Sequence, residues 1–324
     1  MMKTTRSLGI PALLIIILGI LPLIVPPYYT GLLTLMFIYA LFAMSLDILQ
    51  GYTGLASLGH AAFFGTAAYV AGILNVKVFH GPHLGTELVS GVVAAALTAA
   101  ILGLIVLRST GVYLLMILMA SSMMLWGIAF KWRSLAGGDD GLPGILRPDL
   151  VFMHVDLKQT TDFYYFIFFF FVVGTALMYL VVRSSFGHTL LGIRESESRM
   201  KALGYNTWLQ KYIAFIVSAA FAGLAGVLLA YYNGFVSPAE LHLVNSAEVL
   251  IMVILGGVGT LFGPAIGAGI IILIKNIVSG YTEHWMIILG AVYMATVVAA
   301  PRGVYRLIES LVKGKSQEEE KSNQ

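Results

Sequence analysis

Apolar runs long enough to cross a bilayer recur from Leu8 to Ala300, and they constrain this chain more than any other feature. A spanning helix needs about 20 such residues, because the hydrocarbon layer is about 30 Å thick and each residue rises about 1.5 Å. Runs of this kind are read at Leu8–Val25, Gly31–Gln50, Gly51–Leu74, Leu88–Leu107, Gly111–Phe130, Phe163–Val182, Tyr212–Tyr232 and Trp285–Ala300. A β-barrel would show short segments of alternating polarity instead. The expected fold class is therefore all-α, a polytopic integral membrane protein, with 59% of residues hydrophobic and 11% charged. No stretch is long and polar enough for a separate soluble domain, so residues 1–324 read as a single transmembrane domain. The net charge of +3 is spread by topology and makes no nucleic-acid patch, and with no Cys there are no disulfides or thiolate metal sites.

Charge placement orients the spans. Lys3 and Arg6 precede the first run, which lacks a small-x-small cleavage site and reads as an uncleaved helix with its N-terminus inside. The polar interruption Arg183–Lys211 carries five basic residues against two acids, which marks it as cytoplasmic. Within it, Glu195/Arg199 and Glu197/Lys201 are spaced i,i+4 with the acid first. Gly204 is a natural helix stop, and Thr207–Gln210 has the form of a capping box for the next helix. A short charge-laced helix is expected here, and spacing alone leaves open whether it is a solvated connector or a docking element. Ile193, Met200 and Leu203, at i, i+7 and i+10, are expected to share one face.

The loop at residues 131–162 should lie outside, with a turn-rich run, Ala136–Gly144, folded back on itself. Its charged residues Arg133, Asp139, Asp140 and Arg147 form a candidate receiving surface for an outside partner, with a structural lid as the alternative. The basic tail, 302–324, should lie inside, which requires an even number of crossings. A single span at Val249–Ile274 would break that parity. Gly256, Gly257, Gly259 and Gly263 interrupt this segment, so it is read as a short half-helix and a returning helix, near residues 247–278, for about ten crossings in all.

Several motif-like strings carry no chemistry. Gly314-Lys315-Ser316 lacks the upstream glycine of a phosphate-binding loop, Glu309 standing in its place, and no strand precedes it. Gly257-Val258-Gly259 has Phe262 where a dinucleotide-binding fingerprint needs its third glycine. The seven histidines form no H-E-x-x-H, and no acid–base constellation suggests an enzyme. Two readings remain for Gly51, Gly54, Gly59 and Gly65: close helix packing, or a discontinuous helix lining a substrate path with Thr53, Ser57 and His60 as its polar groups. Asp47 and Glu248 are costly toward lipid, so each is expected to point inward or reach an interface.

The run Gly51-Tyr52-Thr53-Gly54-Leu55-Ala56-Ser57-Leu58-Gly59-His60-Ala61-Ala62-Phe63 resembles the early signature of bacterial branched-chain amino acid ABC transporter permeases of the LivM type. Ala202-Leu203-Gly204, Ala219–Gly226, Gly256–Pro264 and Pro301-Arg302-Gly303 resemble later motifs of that family, in order along the chain. Leu55 stands where many members have Gln, and Asp47 where many have Asn; related permeases carry urea or short amides. The resemblance implies a translocation path at Thr53, Gly54, Ser57, Gly59 and His60. It makes the central segment a coupling helix, with Arg194, Glu195, Glu197, Met200, Ala202, Leu203 and Gly204 toward the ATPase. It further implies a second homologous permease, two cytoplasmic ATPase subunits that bind ATP and Mg, an extracytoplasmic solute-binding protein, and no cofactor on this chain. The implied location is the bacterial inner membrane, with both termini cytoplasmic. An ion-driven secondary transporter is the rival class, and Asp47, Glu248 and Lys275 are its only candidate carriers of coupling.

Overall fold

The computed structural model of the 324-residue chain describes residues 18–148 and 159–281, together with positions 157, 287, 290, 291, 294 and 303–305. The expected crossings at Leu8–Val25 and Trp285–Ala300 and the tail lie largely outside the described residues. Between them run seven helices long and apolar enough to cross a membrane. These are α1 (Pro27–Tyr52), α2 (Ala61–Val78), α3 (Leu84–Val106), α4 (Val112–Lys131), α5 (Thr160–Arg183), α8 (Thr207–Asn233) and α10 (Phe262–Ser279). Two helices of the central loop, α6 (Ser185–Glu195) and α7 (Glu197–Ala202), and one short apolar helix, α9 (Leu243–Gly256), stand between α5 and α10.

The core is made by α1, α2 and α8, whose side chains are mostly buried, and α3, α4, α5 and α10 surround them. Small residues let these three helices approach closely. A side chain at Gly226 of α8 would run into the Phe64 carbonyl of α2, and one at Gly223 would meet Ala95 and Ala67. The outer helices carry exposed apolar stripes at helical spacing, such as Leu97, Ile101 and Ile105 on α3 and Phe169, Val173, Leu177 and Leu180 on α5. Such stripes suit lipid tails or a partner helix and would be unfavourable in water. The Phe166–Phe171 run divides between the two roles: Phe171 stacks on Phe37 of α1 and Phe168 tilts against it, while Phe169 is 60% exposed.

Connections segregate to two ends. At one, β1 (Leu142–Pro143) pairs antiparallel with β2 (Phe235–Val236), and Asn75 exchanges two hydrogen bonds with the Leu146 backbone. At the other, α6, the turn between α9 and α10, and Gly303 come together: Arg194 bonds the Gly51 carbonyl, and Gly303 abuts Gly257.

The expected break in residues 247–278 is present. α9 ends at Gly256 and α10 begins at Phe262. At 14 residues α9 is about 21 Å long, short of a full crossing. The two helices are antiparallel, because Gly256 meets Gly263, Met252 meets Gly267, and Glu248 meets Lys275. One boundary differs from expectation. Gly51–Leu74 is not one helix: α1 continues to Tyr52 through a widened last turn, residues 54–60 are non-helical, and α2 starts at Ala61.

Candidate functional site

The central loop folds as two helices, not one. Ser196 leaves helical geometry at φ −161°, and its hydroxyl accepts from the Arg199 N–H, capping α7. The break puts Glu195 and Arg199 on separate helices, and no ion pair joins them among the described residues. Glu197 gathers what Glu195 does not: Lys201 lies at 3.0 Å, Thr207 donates at 3.1 Å, and Lys211 of α8 completes the cluster. Partial burial pushes the Glu197 carboxyl up, but the hydrogen bonds from Lys211 and Lys201 outweigh it and hold it at about 2. α7 is thereby tied to the first turn of α8. The cap of α8 is Asn206, whose Oδ1 accepts from Leu209 N–H, and Thr207 is spent on Glu197 instead.

Gly204 ends α7 as expected, with φ +87°. Its N–H bonds the Lys201 carbonyl and that of Tyr205 bonds Met200, the paired pattern of a left-handed helix stop. Among the described residues, leaving aside its two chain neighbours, no atom lies within 4 Å of where its side chain would begin. The shared apolar face is not formed. Ile193 is buried, Met200 packs back over Gly192 of α6, and Leu203 is 72% exposed. Around Leu203 the chain exposes Tyr205, Trp208 and Leu209 as well, an apolar patch that spacing rules did not single out. Ala202 and Glu195 are exposed beside it.

Arg194 is exposed, but its guanidinium turns onto the end of α1. There it donates to the Gly51 carbonyl, within electrostatic reach of the Asp47 carboxylate. Asp47, fully buried, accepts from the backbone N–H groups of Gly259 (2.7 Å) and Leu261 (3.1 Å).

Of the path candidates, Thr53, Ser57, Gly59 and His60 are buried within the subunit, and Gly54 is exposed at φ +77°. Thr53 donates to the Leu49 carbonyl, and Gly59 lies against the Leu118 carbonyl of α4. His60 pairs through Nε2 with Ser45 at 2.9 Å and stacks on Phe42, while its Nδ1 has no hydrogen-bond partner among the described residues. Glu248 of α9 is paired with Lys275 at 3.0 Å. Among the described residues no three His, Asp or Glu side chains converge as metal ligands.

At the opposite end, Gly137, Gly138, Gly141 and Gly144 all take positive φ, and the turn run folds back on itself. Arg133, Asp139 and Asp140 are exposed. Arg147 is not part of that surface: its guanidinium lies 4.2 Å over the Phe163 ring and donates to the Leu157 carbonyl. The residue that anchors this end escaped sequence reading. Glu87 is fully buried and accepts from Tyr231 (2.6 Å), His83 N–H (2.8 Å) and Asn75 (3.1 Å), the side chain that also holds Leu146. It sits one residue before an expected span, where an acid reads as an ordinary interfacial charge.

Known proteins place this arrangement. The chain is 28% identical to the high-affinity branched-chain amino acid transport system permease protein LivM of Salmonella typhimurium, over 96% of this chain and 77% of that one. With LivM of Escherichia coli it shares 28% identity over 87% of this chain and 71% of the relative. With the LivH permease protein of Escherichia coli it shares 24% over 82% and 90%. No solved structure gives a significant match. The branched-chain amino acid transport system / permease component family matches residues 28–297, which includes every helix from α1 to α10, and the chain belongs to that family.

Proposed function

We propose that this chain is the membrane-spanning subunit of an ATP-driven importer for leucine, isoleucine and valine. The observation that carries the reading is the family match across the described helical body, with relatives named both LivM and LivH. In this reading a second, homologous permease packs against the exposed outer helices, and the path runs between the two chains. Two cytoplasmic ATPase subunits bind ATP and Mg, and an extracytoplasmic binding protein delivers the amino acid to the end carrying Asp139 and Asp140. The membrane is the bacterial inner membrane, with both termini on the ATPase side. The rival ion-driven reading is weakened by the buried acids. Asp47 is engaged by backbone N–H groups and Glu248 by Lys275, so both serve the fold.

In this reading the patch around Leu203 enters a groove on the ATPase, and closure of the ATPases moves the α6–α7 loop between two packings of the helices. The test is Leu203→Asp, beside Gly204→Leu. Leu203 is 72% exposed, so an acid there leaves the chain's own packing intact. Leucine at Gly204 forces a left-handed backbone at a local cost of about 1–2 kcal/mol. Both variants are expected at near-normal level in the membrane, with ATPase subunits no longer co-purifying and leucine uptake lost. Retained ATPases and normal uptake in both would reduce the loop to a connector. At the other end, Asp139→Lys with Asp140→Lys is expected to weaken stimulation of ATP hydrolysis by the loaded binding protein. Unchanged stimulation would leave that loop a structural lid.

A further inference from the structure

The α6–α7 loop and the α9–α10 hairpin meet at one point, and the chemistry there is unusual. The turn joining α9 to α10 contains a three-residue reversal: the Phe262 N–H bonds the Thr260 carbonyl at 2.7 Å, with Leu261 between them at φ +56°, ψ −55°. This form of γ-turn is rare and strained, more so for a branched side chain than for glycine. Such a backbone persists only where its surroundings hold it. Asp47 is what holds it here. One carboxylate oxygen takes the Gly259 N–H and the other takes the Leu261 N–H, so a single side chain from α1 spans both sides of Thr260. Gly51, one turn later on α1, abuts the Gly259 backbone so tightly that a side chain would overlap it. Arg194 then closes the junction from the loop side. Its guanidinium donates to the Gly51 carbonyl and lies against Gly259.

We propose that Asp47 and Arg194 form one mechanical link, through which movement of the α6–α7 loop is passed to the α9–α10 hairpin by releasing or tightening the strained turn at Leu261. Both are positioning residues. The inference rests on the proposed reading of the loop as the element that meets the ATPase. Arg194 hydrogen-bonds from α6 to α1, where Leu190 of α6 also packs on Tyr52, and Asp47 is the group on α1 that grips the turn. Gly303 also lies tightly against Gly257 at the start of the turn, which adds a further contact to those of Asp47 and Arg194.

The experiment uses the assembled importer in proteoliposomes, with ATP hydrolysis and leucine import measured on the same sample. Variants are Asp47→Leu, Asp47→Asn, Arg194→Met, and Asp47→Leu with Arg194→Met. Co-purification of the ATPases is the control for the reading of the loop; it reports docking and is expected to survive in every variant. Each of Asp47→Leu and Arg194→Met is expected to cut import by about tenfold while ATP hydrolysis continues, which raises the ATP used per leucine carried. The double variant should fall no further than the worse single one, instead of the roughly hundredfold expected if the two acted independently. Asn at 47 keeps one acceptor oxygen and should restore part of the import, a gradation that a cavity or misfolding would not give. Multiplying effects in the double variant, import and hydrolysis falling together, or Asn behaving as Leu would each overturn the link. Retained ATPases and normal uptake in Leu203→Asp and Gly204→Leu would instead overturn the reading of the loop.

Discussion

Valine in place of Gly256 is expected to lower the thermal midpoint of the purified chain by roughly 5 °C or more, whereas valine in place of Gly269 leaves it nearly unchanged. Both glycines lie in the α9–α10 hairpin, and hydropathy treats them alike. Their surroundings differ. A side chain on Gly256 would run into the Gly263 carbonyl and the Pro264 nitrogen, groups that no rotamer can move aside. The same seam repeats one layer deeper, where Gly267 lies against the Met252 carbonyl. Separating the two helices to admit two methyl groups forfeits dispersion along the whole seam, and no hydrophobic drive in lipid replaces it. Overpacking of this kind costs about 1–3 kcal/mol, and rigid backbone on the far side puts Gly256 at the upper end. Among the described residues nothing lies within 4 Å of the carbon added at Gly269, so valine there meets no wall like the one behind Gly256. Equal midpoints for Gly256→Val and the unaltered chain would show that the seam has room for a side chain at this layer.

The hairpin break was readable because its cause is local. Gly256-Gly257-Val258-Gly259 cannot sustain a helix, and the parity of charged ends demanded an extra reversal. The spans were readable for the same reason, since length and apolarity are properties of a contiguous run. What failed was choice between neighbouring signals of equal strength. Ser196 and Ser198 flank Glu197, and nothing in their identity says which will cap a helix. Asn206 and Thr207 are both good caps, and Asn206 took the role because Thr207 is drawn to Glu197, ten residues back. The i,i+4 spacing of Glu195 and Arg199 assumed one helix, and a single cap at Ser196 dissolved the pair. Long-range partnership was the other blind spot. The sequence says only that Asp47 points inward or reaches an interface, and its partners Gly259 and Leu261 lie more than 200 residues away and contribute only backbone. Backbone donors leave no trace in residue identity.

Glu87 makes the same point at the opposite end and gives the second large effect: alanine there should destabilise the chain by roughly 3 kcal/mol or more. The carboxyl is fully buried and takes Tyr231 O–H on one oxygen and His83 N–H on the other, with Asn75 bridging both. Removing it leaves three donors in a place water does not reach, each deprived of its acceptor. The cost is structural as well as local. Asn75 uses its remaining N–H and its carbonyl oxygen on the Leu146 backbone, so loss of Glu87 frees the side chain that pins the outer loop. Ile145, next in line, fills the space over Gly72 and bonds Gly234, and it should loosen in turn. The expected result is therefore twofold: a lower thermal midpoint for Glu87→Ala, and faster amide exchange across residues 137–147 with α1 unaffected. Tyr231→Phe removes one donor and leaves the others satisfied, so about 1 kcal/mol is expected. Gln at 87 keeps an acceptor for His83 or Tyr231 and should fall between the two. If Glu87→Ala matches the unaltered chain in both midpoint and exchange, the loop is held by β1–β2 pairing alone, and the carboxyl has been given too much.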